Sequence, residues 1–319
     1  MLVLLVLVAT PGAARTEAAR MHRIGFLSPW FSTSDPVQRL ALIDGLRARG
    51  YREGEGFVFE SRYAEGRLEQ LPQLAAQLVE RKVDVVIAVS TLAGIAAKAA
   101  TTSIPIVVAG SGDMVASGLV ANTAHPGGNV TGIQFLRPEL AVRQLEIITQ
   151  LVPGATRLAF FGNPDVPSDI AFFHALEGRA ASSRWNVRLV PVKAEADYKG
   201  AFPRLVEERV QALIVGASAT QFDPSRSIVR LVAQNKIPAL YPGRQFVEAG
   251  GLSSYFAHPG DQGRLVATYV DKILGGARPG DLPVEQYTRY ELTINLRTAR
   301  ALGLTIPSAL REQAASLLR

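Results

Sequence analysis

Short apolar runs alternate along this chain with longer segments of helical period, and that rhythm constrains the fold more strongly than composition does. Runs of Val, Ile, Leu and Ala with little polar alternation are typical of parallel strands covered by helices on both faces. We therefore predict an α/β fold of two similar doubly wound parallel-sheet lobes, joined by a hinge, with a cleft between them. The predicted strands are Arg23–Ser28, Phe57–Tyr63, Val83–Val89, Ile104–Ala109, Asn129–Phe135, Arg157–Gly162, Val187–Val192, Gln211–Gly216 and Ile237–Tyr241. The predicted helices are Pro36–Arg49, Leu68–Arg81, Leu92–Thr101, Pro138–Leu151, Ser168–Ser182, Asp197–Arg209 and Asp223–Asn235.

An internal repeat supports the prediction of two lobes. Residues 78–87 align without gaps on residues 205–214, with Leu, Val, Glu, Val and Ile at matching positions. Ile104-Pro105 corresponds in the same way to Ile237-Pro238, at the start of a predicted strand. Chance similarity among residues common at helix–strand junctions is the alternative that the sequence leaves open.

The domain boundaries are predicted from the same rhythm. A length of 319 residues suits two domains, at roughly 150 residues for each. We assign residues 21–137 and about 256–289 to the first lobe and residues 138–255 to the second. The segment 250–255 is predicted as a strand that crosses between the lobes, with Ser254 and Tyr255 near the hinge. The lobe to which residues 290–319 belong is left open.

The N-terminal 20 residues resemble a secretory signal peptide. Met1–Val8 is an apolar run, and small residues follow it at 12–14 and 18–19. The run is shorter than the about 20 residues that a transmembrane helix needs. No Lys or Arg precedes it, so a cytoplasmic protein that begins at Met21 is the alternative. We expect a periplasmic protein, and one without a lipid anchor, because the chain has no cysteine.

Composition and motifs exclude several classes of function. There is no Cys and there are four His, so disulfides, thiolate catalysis and Cys-ligated metals are excluded. No HExxH or GxSxG spacing occurs, and Val115 stands where a dinucleotide loop beginning at Gly110 needs its third glycine. The net charge of +6 comes from basic residues spread singly along the chain, unlike those of a nucleic-acid binder. We therefore predict a protein that is not an enzyme, with no cofactor, no metal and no nucleic-acid partner.

The loops at the carboxyl ends of the predicted strands are the candidate binding residues. Ser90 and Thr91 lie between a buried strand and a helix, where hydroxyl groups and free backbone N–H groups suit a carboxylate. An ordinary helix cap is the alternative. Trp30 and Phe31 follow the first strand and offer aromatic surface. Tyr241 and Arg244 offer an aromatic wall and an anion clamp from the other lobe, although a loop arginine is often only a solvated charge.

Several short motifs resemble one known family, the ABC transporter substrate-binding proteins that include tryptophan- and tyrosine-type binding proteins. The likeness extends from about Ile24 to Pro307. It implies an extracytoplasmic solute-binding protein that closes two lobes over a small molecule and delivers it to permease subunits in the inner membrane. A monomer is expected. The motifs that carry the resemblance include Ala64-Glu65-Gly66-Arg67, Lys82-Val83-Asp84-Val85-Val86, Pro126-Gly127-Gly128-Asn129-Val130-Thr131-Gly132, Phe246-Val247-Glu248-Ala249-Gly250-Gly251-Leu252 and Ala301-Leu302-Gly303-Leu304-Thr305-Ile306-Pro307.

The resemblance and the strand-end loops together give the predicted ligand-binding residues. The family's turn of Gly-Asp-Pro-Val is Gly112-Asp113-Met114-Val115 here, so the chemistry near Asp113 departs from the family pattern. The segment 242–247 departs from it as well. The predicted ligand-binding residues are Trp30, Ser90, Thr91, Asp113, Asn163, Tyr241, Arg244, Ser254 and Tyr255.

These residues favour an aromatic carboxylate or amino acid as the ligand. If Asp113 reaches the cleft, it pairs with an α-amino group, whereas a solvent-facing Asp113 favours a carboxylate without an amine. Branched-chain amino acids and short peptides remain open. A periplasmic sensing domain that partners a receptor instead of a permease is the alternative function.

Overall fold

Two β-sheets organise this computed structural model, which describes residues 21–30, 36–135, 137–222 and 224–319. The first sheet has the strand order β11-β5-β4-β3-β1-β2, and the strand pairs along it are parallel. We call this sheet and the helices packed on it the first lobe. Its strands are β1 (His22–Ser28), β2 (Phe57–Tyr63), β3 (Val85–Val89), β4 (Ile106–Ser111), β5 (Val130–Phe135) and β11 (Glu285–Tyr287).

The second sheet has the order β13-β12-β10-β9-β8-β6-β7 and defines the second lobe. It is parallel except that β12 runs antiparallel to β10. Its strands are β6 (Arg157–Gly162), β7 (Asn186–Pro191), β8 (Ala212–Val215), β9 (Ala239–Tyr241), β10 (Ser253–Ala257), β12 (Tyr290–Asn295) and β13 (Ser316–Leu318). The α/β architecture of two parallel-sheet lobes is therefore confirmed.

The helices lie between the strands, as the sequence rhythm predicts. The described helices are α1 (Pro36–Arg47), α2 (Leu71–Glu80), α3 (Thr91–Ala100), α4 (Arg137–Leu151), α5 (Pro167–Ala180), α6 (Glu195–Glu207), α7 (Ala219–Phe222), α8 (Ser225–Gln234), α9 (Arg244–Glu248), α10 (Pro259–Leu274), α11 (Leu296–Ala301) and α12 (Ser308–Gln313). Within the described ranges, no helix has the length and apolarity needed to cross a membrane. The predicted signal peptide at residues 1–20, Phe31 and the predicted helix start at Asp223 lie outside the described residues.

Alternate residues of each central strand enter different cores, which explains the continuous apolar runs. In β3, Val85 and Ile87 join a core with α1 and α10, whereas Val86 joins a core with α2 and α3. In β6, Phe160 packs toward α4 and α5, and Phe161 packs toward α6 and α8. Because both faces of each strand are buried, neither face needs polar residues.

The internal repeat corresponds to one structural unit in each lobe. The repeat covers the end of α2 leading into β3, and the end of α6 leading into β8. Lys82 and Arg209 occupy equivalent positions and both have a left-handed backbone, with φ of 52° and 51°. The strand orders β2-β1-β3-β4 and β7-β6-β8-β9 also correspond. The prediction of two similarly wound lobes agrees with this arrangement.

The chain passes between the lobes at three places in the described structure. It leaves the first sheet after β5 and enters α4, whose buried residues belong to the core of the second lobe. It returns after β10 to α10, which packs on α1 in the first lobe. It leaves the first sheet again after β11 and forms β12 and β13 in the second sheet. The segment 290–319, whose lobe the sequence leaves open, thus adds strands to the second lobe.

Candidate functional site

Three neighbouring strands of the first lobe end at the same edge of the sheet. The order β1-β3-β4 places the loops that begin at Pro29, Ser90 and Gly112 side by side. These loops carry the predicted residues Trp30, Ser90, Thr91 and Asp113. Parallel strands with helices between them collect polar loop residues at this edge, so the first lobe contributes one wall of the candidate site.

Ser90 has a strained backbone at the start of α3. Its φ of 89° and ψ of 165° lie in a region that is normally occupied by glycine. Its hydroxyl accepts a long hydrogen bond of 3.5 Å from the backbone N–H of Ala93. The other N–H groups of the first helical turn have no acceptor within the helix and carry the positive end of the helix dipole. This end of α3 suits an anionic group.

Thr91 joins two of the strand-end loops. Its hydroxyl lies 2.9 Å from the hydroxyl of Ser111 and accepts the backbone N–H of Gly112 at 3.1 Å. The side chain is buried. Thr91 therefore holds the loop after β4 against the start of α3.

Asp113 faces solvent and caps a turn. Its Oδ1 accepts the backbone N–H groups of Val115 and Ala116, at 2.9 and 3.0 Å. The residue is exposed. By the sequence criterion, a solvent-facing Asp113 favours a carboxylate without an amine as the ligand.

In the second lobe, a buried carboxylate links two strand-end loops. Asp169, in the first turn of α5, is 1% exposed. Its Oδ2 accepts the backbone N–H of Asn163, after β6, and the hydroxyl of Ser218, after β8, both at 2.9 Å. Ser218 also hydrogen bonds to Gln221. Asn163 is buried, and its own Oδ1 accepts the N–H of Asp165.

Sequence reasoning missed Asp169, Gln221 and Phe222. An acidic residue in the first turn of a predicted helix usually interacts with the helix dipole at the surface. The only available clue to a different role was the position of Asp169, which follows closely after the strand-end loop of β6.

The side chains of Tyr241 and Arg244 lie in different surroundings. Tyr241 is 1% exposed, and its ring stacks on Phe246 with a centroid distance of 5.2 Å. Burial raises the pKa of the Tyr241 phenol above its ordinary value. The Arg244 guanidinium is half-exposed and pairs with Glu248 at 2.8 Å. The structure does not bring the two side chains together as one wall, and their ligand-binding role stays a prediction.

Ser254 and Tyr255 lie on β10, shortly before the chain crosses to α10. Ser254 is buried. The backbone carbonyl of Tyr255 accepts a hydrogen bond from Nε2 of Gln144 at 2.8 Å. The Tyr255 ring lies 5.7 Å from that of Tyr290, which follows another crossing. Both residues therefore lie beside the segments that connect the lobes.

Contacts between the lobes include two that involve the strand-end loops of the first lobe. The ring of Trp30 lies 5.7 Å from the ring of Phe222 in the second lobe. A Cβ atom added to Gly112 would lie 2.9 Å from Cβ of Ser168 in α5. The Trp30 indole N–H is buried and has no hydrogen-bond partner among the described residues. These contacts describe a closed arrangement with aromatic surface on both sides.

The part of the chain that the structure describes contains no candidate metal site. There, no group of three or more His, Asp and Glu side chains is placed to hold a metal ion.

Comparison with known proteins finds a matching family and a relative whose descriptions agree with each other. Residues 35–318 match the sequence pattern of a family described as ABC transporter substrate binding protein. The tyrosine-binding protein of Clostridioides difficile is 24% identical over 296 residues, which cover 92% of this chain and 85% of that protein.

Two solved structures share the fold closely. The crystal structure of a conserved domain protein from Vibrio cholerae has 28% sequence identity and a TM-score of 0.88, covering 93% of this chain and all of that chain (100%). An ABC domain from Streptococcus pneumoniae, in complex with L-tryptophan, has 24% identity and a TM-score of 0.87. That match covers 94% of this chain and 100% of the other.

Proposed function

The chain belongs to the family of ABC transporter substrate-binding proteins, and from that premise we propose that it is the extracytoplasmic solute-binding protein of an ABC importer. It captures a small molecule between its two lobes and presents it to permease subunits in the inner membrane. We place it in the periplasm, as a monomer. Members of this family are binding proteins, so stoichiometric binding without turnover is expected.

The ligand class is a carboxylate-bearing aromatic solute or amino acid. The single observation that carries this class is the contact of Trp30 with Phe222 across the cleft. Aromatic rings that meet from opposite lobes offer apolar surface to a flat ligand beside them, and a ligand that contacts both rings favours closure of the lobes. The named ligands of two relatives, tyrosine and L-tryptophan, support the same class.

The carboxylate end is assigned to the start of α3. Ser90 holds a strained backbone there, and the first turn of the helix presents N–H groups toward the strand-end edge of the sheet. Backbone strain of this kind costs about 1–3 kcal/mol and persists where the surrounding structure enforces it. Ser90 and Thr91 are therefore proposed as the anion-binding residues.

A thermal-shift screen tests this proposal. The protein is purified from Met21 onward, refolded to remove carried-over ligand, and tested with four classes of compound. These are aromatic amino acids, aromatic acids that lack an amine, branched-chain amino acids and sugars. A ligand that binds only the folded state adds about 2.7 kcal/mol at a hundredfold excess over Kd. A shift with aromatic carboxylates supports the ligand class, and its absence with all of them contradicts it.

Variants of the two tryptophans sharpen the test. We expect Trp30→Ala to weaken the binding of the best aromatic ligand, because the ring contact across the cleft is lost. The matched control is Trp185→Phe, since the Trp185 indole N–H donates to Thr149 within the second lobe, away from Trp30. Equal losses of affinity in the two variants would contradict the assignment of Trp30 to the site.

Uptake of the bound compound by cells tests the importer role. Deleting the gene for this chain should abolish uptake at low ligand concentration. Unchanged uptake, together with binding by the purified protein, would favour the sensing function.

A further inference from the structure

Aromatic side chains pack around the connections between the lobes. The ring of Phe135, at the end of β5, lies 5.1 Å from the ring of Phe256 on β10. The ring of Tyr287, at the end of β11, lies 5.8 Å from the ring of Tyr290 at the start of β12. Phe135 and Tyr287 belong to the first sheet, whereas Phe256 and Tyr290 belong to the second. These rings therefore meet across the hinge, and Phe256 and Tyr290 pack against the cores of both lobes.

Tyr287 is fixed to the first lobe. It pairs with Phe135 in the first sheet and is 2% exposed. Its hydroxyl donates to Oδ2 of Asp261, in the first turn of α10, at 3.3 Å. Nη1 of Arg289 lies 3.9 Å from the same oxygen. Because α10 packs on α1, the end of β11 moves with the first lobe.

Tyr290 is fixed to the second lobe but makes a hydrogen bond to the first. It pairs with Ala257 of β10, and its ring lies 5.7 Å from the ring of Tyr255 on the same strand. Its hydroxyl donates to the backbone carbonyl of Tyr287 at 3.0 Å. Residues 288 and 289 separate the two partners, so this hydrogen bond spans the third crossing between the lobes.

A hydrogen bond across a hinge depends on the angle between the lobes. Rotation in residues 288 and 289 changes the distance between the Tyr290 hydroxyl and the Tyr287 carbonyl, and a separation beyond about 3.5 Å breaks the bond. The bond is formed in an arrangement that is closed at the strand-end loops, where Trp30 meets Phe222. An intramolecular hydrogen bond that is lost on opening favours the closed state.

We propose that Tyr290 is a positioning residue for ligand binding, whose hydroxyl stabilises the closed arrangement of the lobes through its hydrogen bond to the carbonyl of Tyr287. The inference rests on the proposed function and deepens it, since it names a side chain that acts on the ligand through closure. A smaller closed population lowers the apparent affinity for every ligand by the same factor. A side chain that touches the ligand instead changes the affinities by amounts that depend on the chemistry of each ligand.

Tyr290→Phe tests the inference, because it removes the hydroxyl and keeps the ring. Isothermal titration calorimetry measures the affinity of the variant for L-tryptophan, L-tyrosine and indole-3-propionate. We expect each affinity that the wild type shows to fall by the same factor, about three- to tenfold. The matched control is Tyr269→Phe, because the Tyr269 hydroxyl also donates to a backbone carbonyl, that of Pro283 at 2.6 Å, within the first lobe. Its affinities should equal those of the wild type.

Double electron–electron resonance measures closure without relying on a ligand. The chain has no cysteine, so Ala116→Cys in the first lobe and Asp165→Cys in the second provide specific sites for two spin labels. Both positions are exposed, in loops that follow β4 and β6. In the ligand-free protein, Tyr290→Phe should increase the fraction of longer distances between the labels, whereas Tyr269→Phe should leave the distance distribution unchanged.

The outcomes separate the two proposals. If Tyr290→Phe keeps the wild-type distance distribution or the wild-type affinities, or loses affinity unequally among the ligands, the inference is wrong and the proposed function stands. If none of the three compounds binds the wild type, the proposed ligand class is wrong, and the distance distribution alone decides the inference.

Discussion

Single side chains at the strand ends carry both the binding potential and the strain of this protein. Ser90 adopts a glycine-like backbone, and its hydroxyl accepts a long hydrogen bond from the backbone N–H of Ala93. Gly132, in the motif 126–132, is needed for a different reason, because an added Cβ would lie 2.2 Å from the carbonyl oxygen of Val108. Ser90 has a side chain despite its strained backbone, whereas position 132 is occupied by glycine. This difference indicates that the side chain of Ser90 has a role that outweighs the strain.

Replacing Ser90 by glycine should stabilise the ligand-free protein. The strain is relieved, which is worth about 1–3 kcal/mol, whereas a Ser→Gly change at a helix cap costs only a few tenths. We expect Ser90→Gly to raise the urea midpoint and to weaken binding of the aromatic ligand. Ser90→Ala is the control, since it loses the cap and keeps the Cβ, and it should lower the midpoint. A lower midpoint for Ser90→Gly would contradict the strain assignment.

The buried Tyr241 should make stability fall at alkaline pH. Its pKa is raised in the folded state by burial, whereas an unfolded tyrosine titrates near 10. The folded state keeps the proton that the unfolded state loses, so this contribution is present below pH 10 and is lost as the pH rises above it.

Tyr241→Phe should therefore flatten the decline in unfolding free energy between pH 10 and 11. The decline should become shallower by up to about 1.4 kcal/mol per pH unit. Urea unfolding at several pH values measures it. Tyr269 and Tyr287, whose pKa values burial raises to about 12, leave a residual slope in the variant. An unchanged slope would show that Tyr241 ionises as readily in the folded protein as in the unfolded chain.

The sequence located the strand-end loops but not the direction of every side chain in them. Ser90 and Thr91 follow from the chain order alone, because any residue between a buried strand and its helix lies at the cleft edge. Tyr241 turns into the core beneath Phe246, and a residue-type pattern carries no information on that choice. Asp169 was missed because its burial depends on loops that come from distant parts of the chain.

Helices in both lobes end in the same strained way. Lys82, Arg209 and Lys236 follow α2, α6 and α8, and each has a left-handed backbone with φ of 51–52°. Such positions favour glycine, since a side chain there crowds the backbone. The first two are equivalent positions of the internal repeat, so the repeat preserves the turn geometry as well as the apolar residues.

Lys82→Gly should raise the free energy of unfolding by about 0.5–1 kcal/mol. The substitution relieves the strain of the left-handed backbone, and the larger conformational entropy of glycine in the unfolded chain offsets part of that gain. The exposed side chain leaves no cavity. Lys82→Ala serves as the control, because it removes the charge but keeps the Cβ. Urea unfolding should show an additive effect with Arg209→Gly in the other lobe. Equal stability of the glycine and alanine variants would contradict the explanation.

The predicted runs correspond to β1–β9 and to seven of the described helices, whereas α10, β12 and several short elements were not predicted. The strands β1–β9 agree with the predicted runs to within a few residues. The central strands β3 and β8 are buried on both faces, whereas the edge strands β2 and β7 are only partly buried. The strands β11 and β13 have three residues each and lie at sheet edges. They bury too little apolar surface to leave a pattern in the sequence, and their pairing depends on the rest of each sheet being formed.

The closed arrangement of the two lobes depends on a close approach at Gly112. An alanine there would bring its Cβ to 2.9 Å from Cβ of Ser168, which is closer than carbon atoms pack, so the lobes must separate slightly. The nearest other side-chain atom in the first lobe, Oγ1 of Thr91, would lie 4.0 Å from the added Cβ, so the first lobe itself accommodates it. A substitution at Gly112 is therefore expected to affect the closure of the lobes and not the stability of either lobe.

Gly112→Ala should weaken the binding of the aromatic ligand about tenfold, which corresponds to about 1.4 kcal/mol and is within the usual cost of overpacking. Calorimetry measures the affinity, and small-angle X-ray scattering measures the contraction on adding ligand, which should be smaller than in the wild type. Gly128→Ala is the control, because an added Cβ there meets nothing within 4 Å. Full affinity and full contraction in Gly112→Ala would show that this contact does not limit closure.

The three crossings between the lobes have a consequence for biosynthesis. When a nascent chain has reached residue 258, the face of the first sheet that α10 covers is bare, and the second sheet still lacks β12 and β13. Residues such as Gly45, whose added Cβ would lie 2.7 Å from Cβ of Ala267, have their partners on a segment not yet translated. Neither lobe is finished before the last part of the polypeptide emerges. Late completion of this kind suits a protein that is threaded through a membrane as an extended chain and folds only on the far side.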